Sequence, residues 1–88
     1  MDVIWPTDDG GFQLWCPGCK SSAGHLIIES YGWTFDHNLE QPTISPSLLV
    51  KWGNGQVCHS FITAGRIQFL TDSTHDLAGQ TVDLVPRP

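Results

Sequence analysis

Apolar and polar residues alternate in short runs along this chain, and glycine or proline separates the runs. Residues 11–16 set Phe12, Leu14 and Cys16 against Gln13 and Trp15. Further apolar runs cover residues 25–30, 33–37, 47–52, 56–63 and 66–73, with a last one at 81–85. No segment keeps a 3.6-residue period over three turns. Short strands with turn signals between them predict a mostly-β domain, a small twisted antiparallel sheet or pair of sheets. One short helix is expected near residues 74–78. Ser73 or Thr74 would cap it, Asp76 suits its first turn, and Gly79 would close it.

The middle of the chain predicts a three-stranded meander. Asn54-Gly55 is a hairpin signal, and a two-residue turn there sets Trp52 opposite Val57, Val50 opposite His59 and Leu48 opposite Phe61. A second tight turn at Ala64-Gly65 sets Phe61 opposite Gln68 and His59 opposite Leu70. One face then carries Leu48, Val50, Trp52, Val57, His59, Phe61 and Leu70. The other carries Leu49, Cys58, Ser60, Ile62, Ile67 and Phe69. Both faces are apolar enough to predict a sheet covered on both sides.

Size and charge narrow the classes. A chain of 88 residues reads as one domain, 1–88, with residues 1–10 and 86–88 as candidate loose ends. So short a chain buries only about 60–65% of its unfolded surface and gains from a staple. Nine acids against four bases leave a net charge of −5. That argues against nucleic acid and fits a basic protein partner or plain solubility. No apolar run reaches the length of a membrane span, and the acidic N-terminus lacks the blocks of a signal peptide. A cytoplasmic location is the expectation. Three cysteines are an odd count, which favours ligation over a disulfide framework.

The sequence Cys16-Pro17-Gly18-Cys19 has the form of a zinc knuckle, whose turn brings two thiolates to one metal. A redox motif would run into a helix, and a turn and strand follow here instead. Cys58 is the natural third ligand. His75 is the first choice for the fourth, since it follows the strand paired with Cys58; His59 and His25 are the other choices. Three thiolates and a histidine make a closed, structural Zn2+ site. The competing reading makes Cys16 and Cys19 surface thiols and Cys58 a small buried apolar residue.

No familiar catalytic pattern stands out: His-Glu-x-x-His, Gly-x-Ser-x-Gly and the phosphate loop are all missing. The expectation is therefore a binding protein with no catalytic residues. Its ligand would be a host or other bacterial protein, or a small molecule. The alternative is a metal-assisted hydrolase using His59, Asp72 and His75. Against it, Asp72 could merely cap the short helix and His59 pack on Leu70. Trp33 and Asn38 stand in a proline-extended segment that mixes aromatic and hydrogen-bonding groups. With His59 and Asp72 they are the candidate ligand- or partner-binding residues.

Three stretches, Cys16-Pro-Gly-Cys19 with a following histidine, residues 33–50, and residues 58–84, together resemble a family of small proteins from bacteriophages and bacteria. Its members often carry an "ammonia monooxygenase" label. The resemblance spans residues 12–85. Its motif positions here are Cys16, Cys19, Trp33, Pro42, Pro46, Ser47, Cys58, His59, Asp72, His75 and Gly79. His25 stands further from Cys19 than in that pattern. The resemblance implies a phage origin, zinc binding and action in the host cytoplasm on a host or defence-system protein. It implies no defined activity.

Overall fold

The computed structural model describes residues 1–87; Pro88, part of the expected loose end at 86–88, lies outside the described residues. Two antiparallel sheets make the fold. The smaller has the order β1 (Ile4–Pro6), β2 (Phe12–Leu14), β3 (Leu26–Ile27). The larger runs in chain order through β4 (Thr34–Phe35), β5 (Ile44–Lys51), β6 (Val57–Thr63), β7 (Arg66–Phe69) and β8 (Thr81–Asp83). A meander needs only local turns, and this sequence supplies a turn signal between each pair of long strands.

The two sheets bury one shared core. Ile4, Leu14 and Ile27 from the small sheet meet Leu48, Val50, Ile62, Ile67 and Phe69 from the large one. Burial alternates along β5, β6 and β7 with period two, as a half-covered sheet requires. Only one face of the large sheet is covered, which corrects the expectation of two covered faces. Leu49 and Phe61 lie on the open face, 47% and 42% exposed.

The face assignment differs because the β5–β6 hairpin closes one residue differently. Lys51 pairs with Val57, Val50 with Cys58, Leu49 with His59 and Leu48 with Ser60. The loop has three residues, Gly53 to Gly55, and Trp52 N donates to Gln56 O at 3.0 Å. Both glycines sit at positive φ, 79° and 88°, which a side chain would resist. A one-residue slip exchanges the faces, so Leu48 and Val50 share the core side with Cys58, Ser60 and Ile62. The β6–β7 turn is the tight one expected. Ala64 and Gly65 both take positive φ, and Phe61 stands opposite Gln68.

No helix forms at 74–78; the segment is a run of turns. Its amides have other partners. Thr74 N donates to Val57 O, Leu77 N to His75 Nδ1 and Gly79 N to Phe69 O. These bonds tie the segment to β6 and β7 and leave nothing for an i→i−4 ladder. The helical turn that does form is a 3₁₀ turn at Glu29–Tyr31, closed by Gly32.

The face assignment has a measurable consequence. Phe69 is 1% exposed, so Phe69→Ala should cost about 3–5 kcal/mol in urea unfolding. Phe61→Ala, on the open face, should change stability by about 0.5 kcal/mol or less. Equal losses in the two variants would refute the assignment.

Candidate functional site

Two constellations flank β6, one on each side. The first lies on the buried side. The ligand atoms of Cys16, Cys19, His25 and Cys58 all lie within 4.8 Å of one another. Cys16 and Cys58 are buried, and their sulfurs stand 3.8 Å apart. Zinc–sulfur bonds of about 2.3 Å in a tetrahedron place two sulfurs about 3.8 Å apart. The Cys16–Cys19 turn is the expected knuckle, and Cys19 N donates to Cys16 Sγ at 3.3 Å.

His25 completes the set, in the place the sequence gave first to His75. The His25 side chain is fully buried. Its Nδ1 lies 2.8 Å from Ala23 O, which makes Nδ1 the protonated nitrogen. Nε2 is then a bare lone pair, buried and without a hydrogen-bond partner. Second-shell carbonyls commonly orient metal-binding histidines in this way. The donor set Cys3His, the sulfur spacing and the orphaned Nε2 together fit a tetrahedral metal such as zinc. The thiols already behave as a unit. A hydrogen bond from the Cys58 thiol draws the Cys16 thiol down to about 4 despite burial, and the same sharing, with burial, pushes Cys58 up.

His75 belongs to a different contact. Its ring meets Phe69 edge-on at 4.4 Å between centroids. It also lies so close over Gly18 that a Cβ there would fall 2.3 Å from His75 Cε1. Gly18 is thus required by close approach, and His75 packs over the knuckle but is not one of the four clustered residues. Beside this contact a cleft of about 680 Å³ opens between the knuckle and residues 74–77, with Trp52 and Val57 in its wall.

The second constellation lies on the open side. His59 Nδ1 is 3.0 Å from Asp72 Oδ2, and His59 Nε2 is 2.9 Å from Ser47 Oγ. Each residue is placed by a different device. His59 is set by strand alternation, one residue after Cys58 and facing away from it. Ser47 is set by a bulge. β5 has three residues between Ile44 and Leu48 where β6 has one between Ile62 and Ser60. Pro46 sits in this bulge, where a missing N–H costs no ladder bond. Asp72 is set by its neighbour Ser73, whose hydroxyl accepts from His59 N at 3.0 Å and donates to His59 O at 3.1 Å. Thr74 holds Val57 N and O in the same fashion.

A hydroxyl, an imidazole and a carboxylate in this order form a nucleophile, a base and an orienting group. The alternative hydrolase reading joins His59 and Asp72 with His75; the structure places Ser47 beside His59 instead. Trp33 and Asn38 are elsewhere. Trp33 packs against the core, and Asn38 Oδ1 accepts from Glu40 N and Gln41 N to hold a turn.

A family of proteins described as "Bacterial ubiquitination-like system serine protease (BubE)" matches residues 2–70, most of the chain. The chain belongs to the BubE family. The matched span contains Ser47, His59 and all four residues of the buried cluster, and it ends two residues before Asp72. Membership in a serine-protease family overturns the expectation of a non-enzymatic binding protein. It lends no support to the phage-type family that the sequence motifs resemble. No curated protein and no solved structure matches the chain. No helix among the described residues is long and apolar enough to cross a membrane.

Ser47 was not singled out because a serine paired with a base is usually sought at a strand-to-helix elbow, and this serine stands on a strand bulge. The signal available was two Pro-Thr/Ser steps, at 42–43 and 46–47, leading into an apolar strand.

The assignment of the buried cluster predicts different outcomes for two histidines. His25→Ala should lose bound zinc and melt well below the parent, because metal binding free energy is folding free energy in a small domain. His75→Ala should keep about one zinc per chain. Metal analysis of the purified variants checks this, and zinc lost from His75→Ala but kept in His25→Ala would reverse it.

Proposed function

We propose that this BubE-family chain is a serine protease in which Ser47 is the nucleophile, His59 the general base and Asp72 the group that orients His59. It would act on a protein of a ubiquitination-like system, as the family description suggests. The observation that carries the reading is the position of the His59 ring, with one nitrogen on Ser47 Oγ and the other on Asp72.

The reaction divides into two acyl transfers. His59 Nε2 takes the Ser47 hydroxyl proton as Oγ attacks the substrate carbonyl carbon. The C–N bond breaks, the proton passes from His59 to the departing amine, and an acyl-Ser47 ester remains. Water, deprotonated by His59, then attacks that ester and restores the Ser47 hydroxyl. Asp72 accepts a hydrogen bond from His59 Nδ1–H throughout, which fixes the tautomer and stabilises the imidazolium.

Zinc would be held by Cys16, Cys19, His25 and Cys58. Four protein ligands fill a tetrahedron, and the cluster lies on the far side of β6 from Ser47. The metal would therefore supply stability and not a step of the reaction. Cys58 would anchor the strand that carries His59.

A fluorophosphonate probe and p-nitrophenyl acetate test the assignment. The probe should label Ser47 alone, and Ser47→Ala should lower esterase turnover about a thousandfold or more. His59→Ala should lose about as much, because nucleophile and base act as a unit. Both variants should keep their zinc and melting temperature. Undiminished turnover or labelling in Ser47→Ala would overturn the proposal.

A further inference from the structure

One edge of the large sheet stops short beside Ser47. β4 pairs with β5 only at Ile44 and Ser45. From Ser47 to Lys51, β5 is bonded to β6 alone among the described residues. The direction of its remaining backbone groups follows from their partners. His59 N and O both bond on the β7 side, to Ser73 Oγ and Leu70 N. Val57 N and O do the same, to Thr74. In an antiparallel ladder, residues opposite such positions form the non-hydrogen-bonded pairs. Leu49 is opposite His59 and Lys51 is opposite Val57. The N–H and C=O of Leu49 and Lys51 therefore point away from β6, toward an edge that no strand among the described residues fills.

The edge is contiguous with the reacting hydroxyl. Ser47 lies two residues before Leu49 on the same strand, and the exposed Leu49 side chain lies on the same open face as His59. Two donors and two acceptors in extended spacing match one kind of ligand, an extended polypeptide backbone. Pro46 and the bulge blunt this edge only before Ser47, and from Ser47 to Lys51 the one charge along it is Lys51.

We propose that residues 47–51 of β5 receive an extended segment of the substrate polypeptide as an added strand, and that this pairing brings the scissile carbonyl to Ser47. The inference rests on the assignment of Ser47 as nucleophile and adds how the substrate is held. Recognition through backbone bonds selects an unfolded, extended stretch over a folded surface, with Leu49 contacting the side chains on the open face.

The test compares two activated esters on the full chain, p-nitrophenyl acetate and the p-nitrophenyl ester of acetyl-tetraalanine. Only the second has a backbone to lay along the edge. Its kcat/KM should exceed that of the acetate by about tenfold or more, from two or more backbone hydrogen bonds. Leu49→Pro deletes a donor that the fold's own ladder does not use, and proline is accommodated at such edge positions. It should cut the ratio of the two kcat/KM values about five- to tenfold, whereas Leu49→Ala, which keeps the N–H, should largely preserve that ratio. In parallel, acetyl-tetraalanine amide at millimolar concentration should slow hydrogen exchange at the Leu49 and Lys51 amides of the Ser47→Ala protein. The proposal falls if the ratio is near one, if Leu49→Pro leaves it intact, or if Leu49→Ala abolishes it equally. It falls too if protection of these amides follows protein concentration and not peptide, which would mean that a second copy fills the edge. Failure to hydrolyse either ester would strike the Ser47 assignment instead, and the exchange measurement would then decide the edge alone.

Discussion

Everything in this fold turns on the period-two alternation of one strand. Cys58 and His59 are consecutive on β6, so the pleat sends one side chain into the core and the other to the open face. The buried thiol joins Cys16, Cys19 and His25; the open imidazole joins Ser47 and Asp72. A single extended backbone thereby ties a metal-type cluster to the proposed nucleophile–base pair, with no helix between them among the described residues. The rigidity of one is inherited by the other, since β6 cannot rotate about its axis while Cys58 is fixed.

The carboxylate is placed by the same strand through a different kind of bond. After β7 ends at Phe69, the chain keeps alongside β6 using side chains in place of a backbone ladder. Ser73 meets both backbone groups of His59 with its hydroxyl, and Thr74 meets those of Val57 with its hydroxyl and amide. Such side-chain-to-backbone bonds let the chain turn sharply without orphaning a buried donor. This is why Asp72 can sit at a bend and still hold register with His59. His75, two residues beyond Ser73, extends the tie to the knuckle by packing over Gly18 and against Phe69. Residues 72–75 are thus fastened to β6 on one side and to the metal-type turn on the other.

Much of this architecture was legible in the sequence. Short runs between turn signals gave the mostly-β class, Cys-Pro-Gly-Cys gave the knuckle, and the odd cysteine pointed to Cys58. What was not legible depends on distances of one residue or on contacts far apart in the chain. The Gly-Asn-Gly loop could close as a two- or three-residue hairpin, and only the core's demand to bury Ile62 with Leu48 and Val50 decides between them. Spacing favours His75 over His25; the small sheet, which bonds Leu14 N to His25 O, is what carries His25 to the thiols. Ser47 was hidden because its reach to His59 comes from a two-residue bulge, and a bulge has no spacing rule. His59 and Asp72 could be paired from the strand order, but nothing in the order distinguished a third member.

The open face also constrains the chemistry. Asp72 and His59 have side chains 59% and 23% exposed, so the chain itself leaves them in contact with water. Charge developing at Ser47 is stabilised best where water is excluded and dipoles are fixed in advance. The bonds to Asp72 and Ser47 hold the His59 ring, but the described residues leave it and Asp72 partly exposed. A small ester would bring no cover of its own. An extended polypeptide laid along β5 would, since it places main chain and side chains over Leu49 and beside His59. Under the proposed reaction, the substrate supplies the wall that the described residues leave open, and preference for a polypeptide over a small acyl compound follows from that geometry.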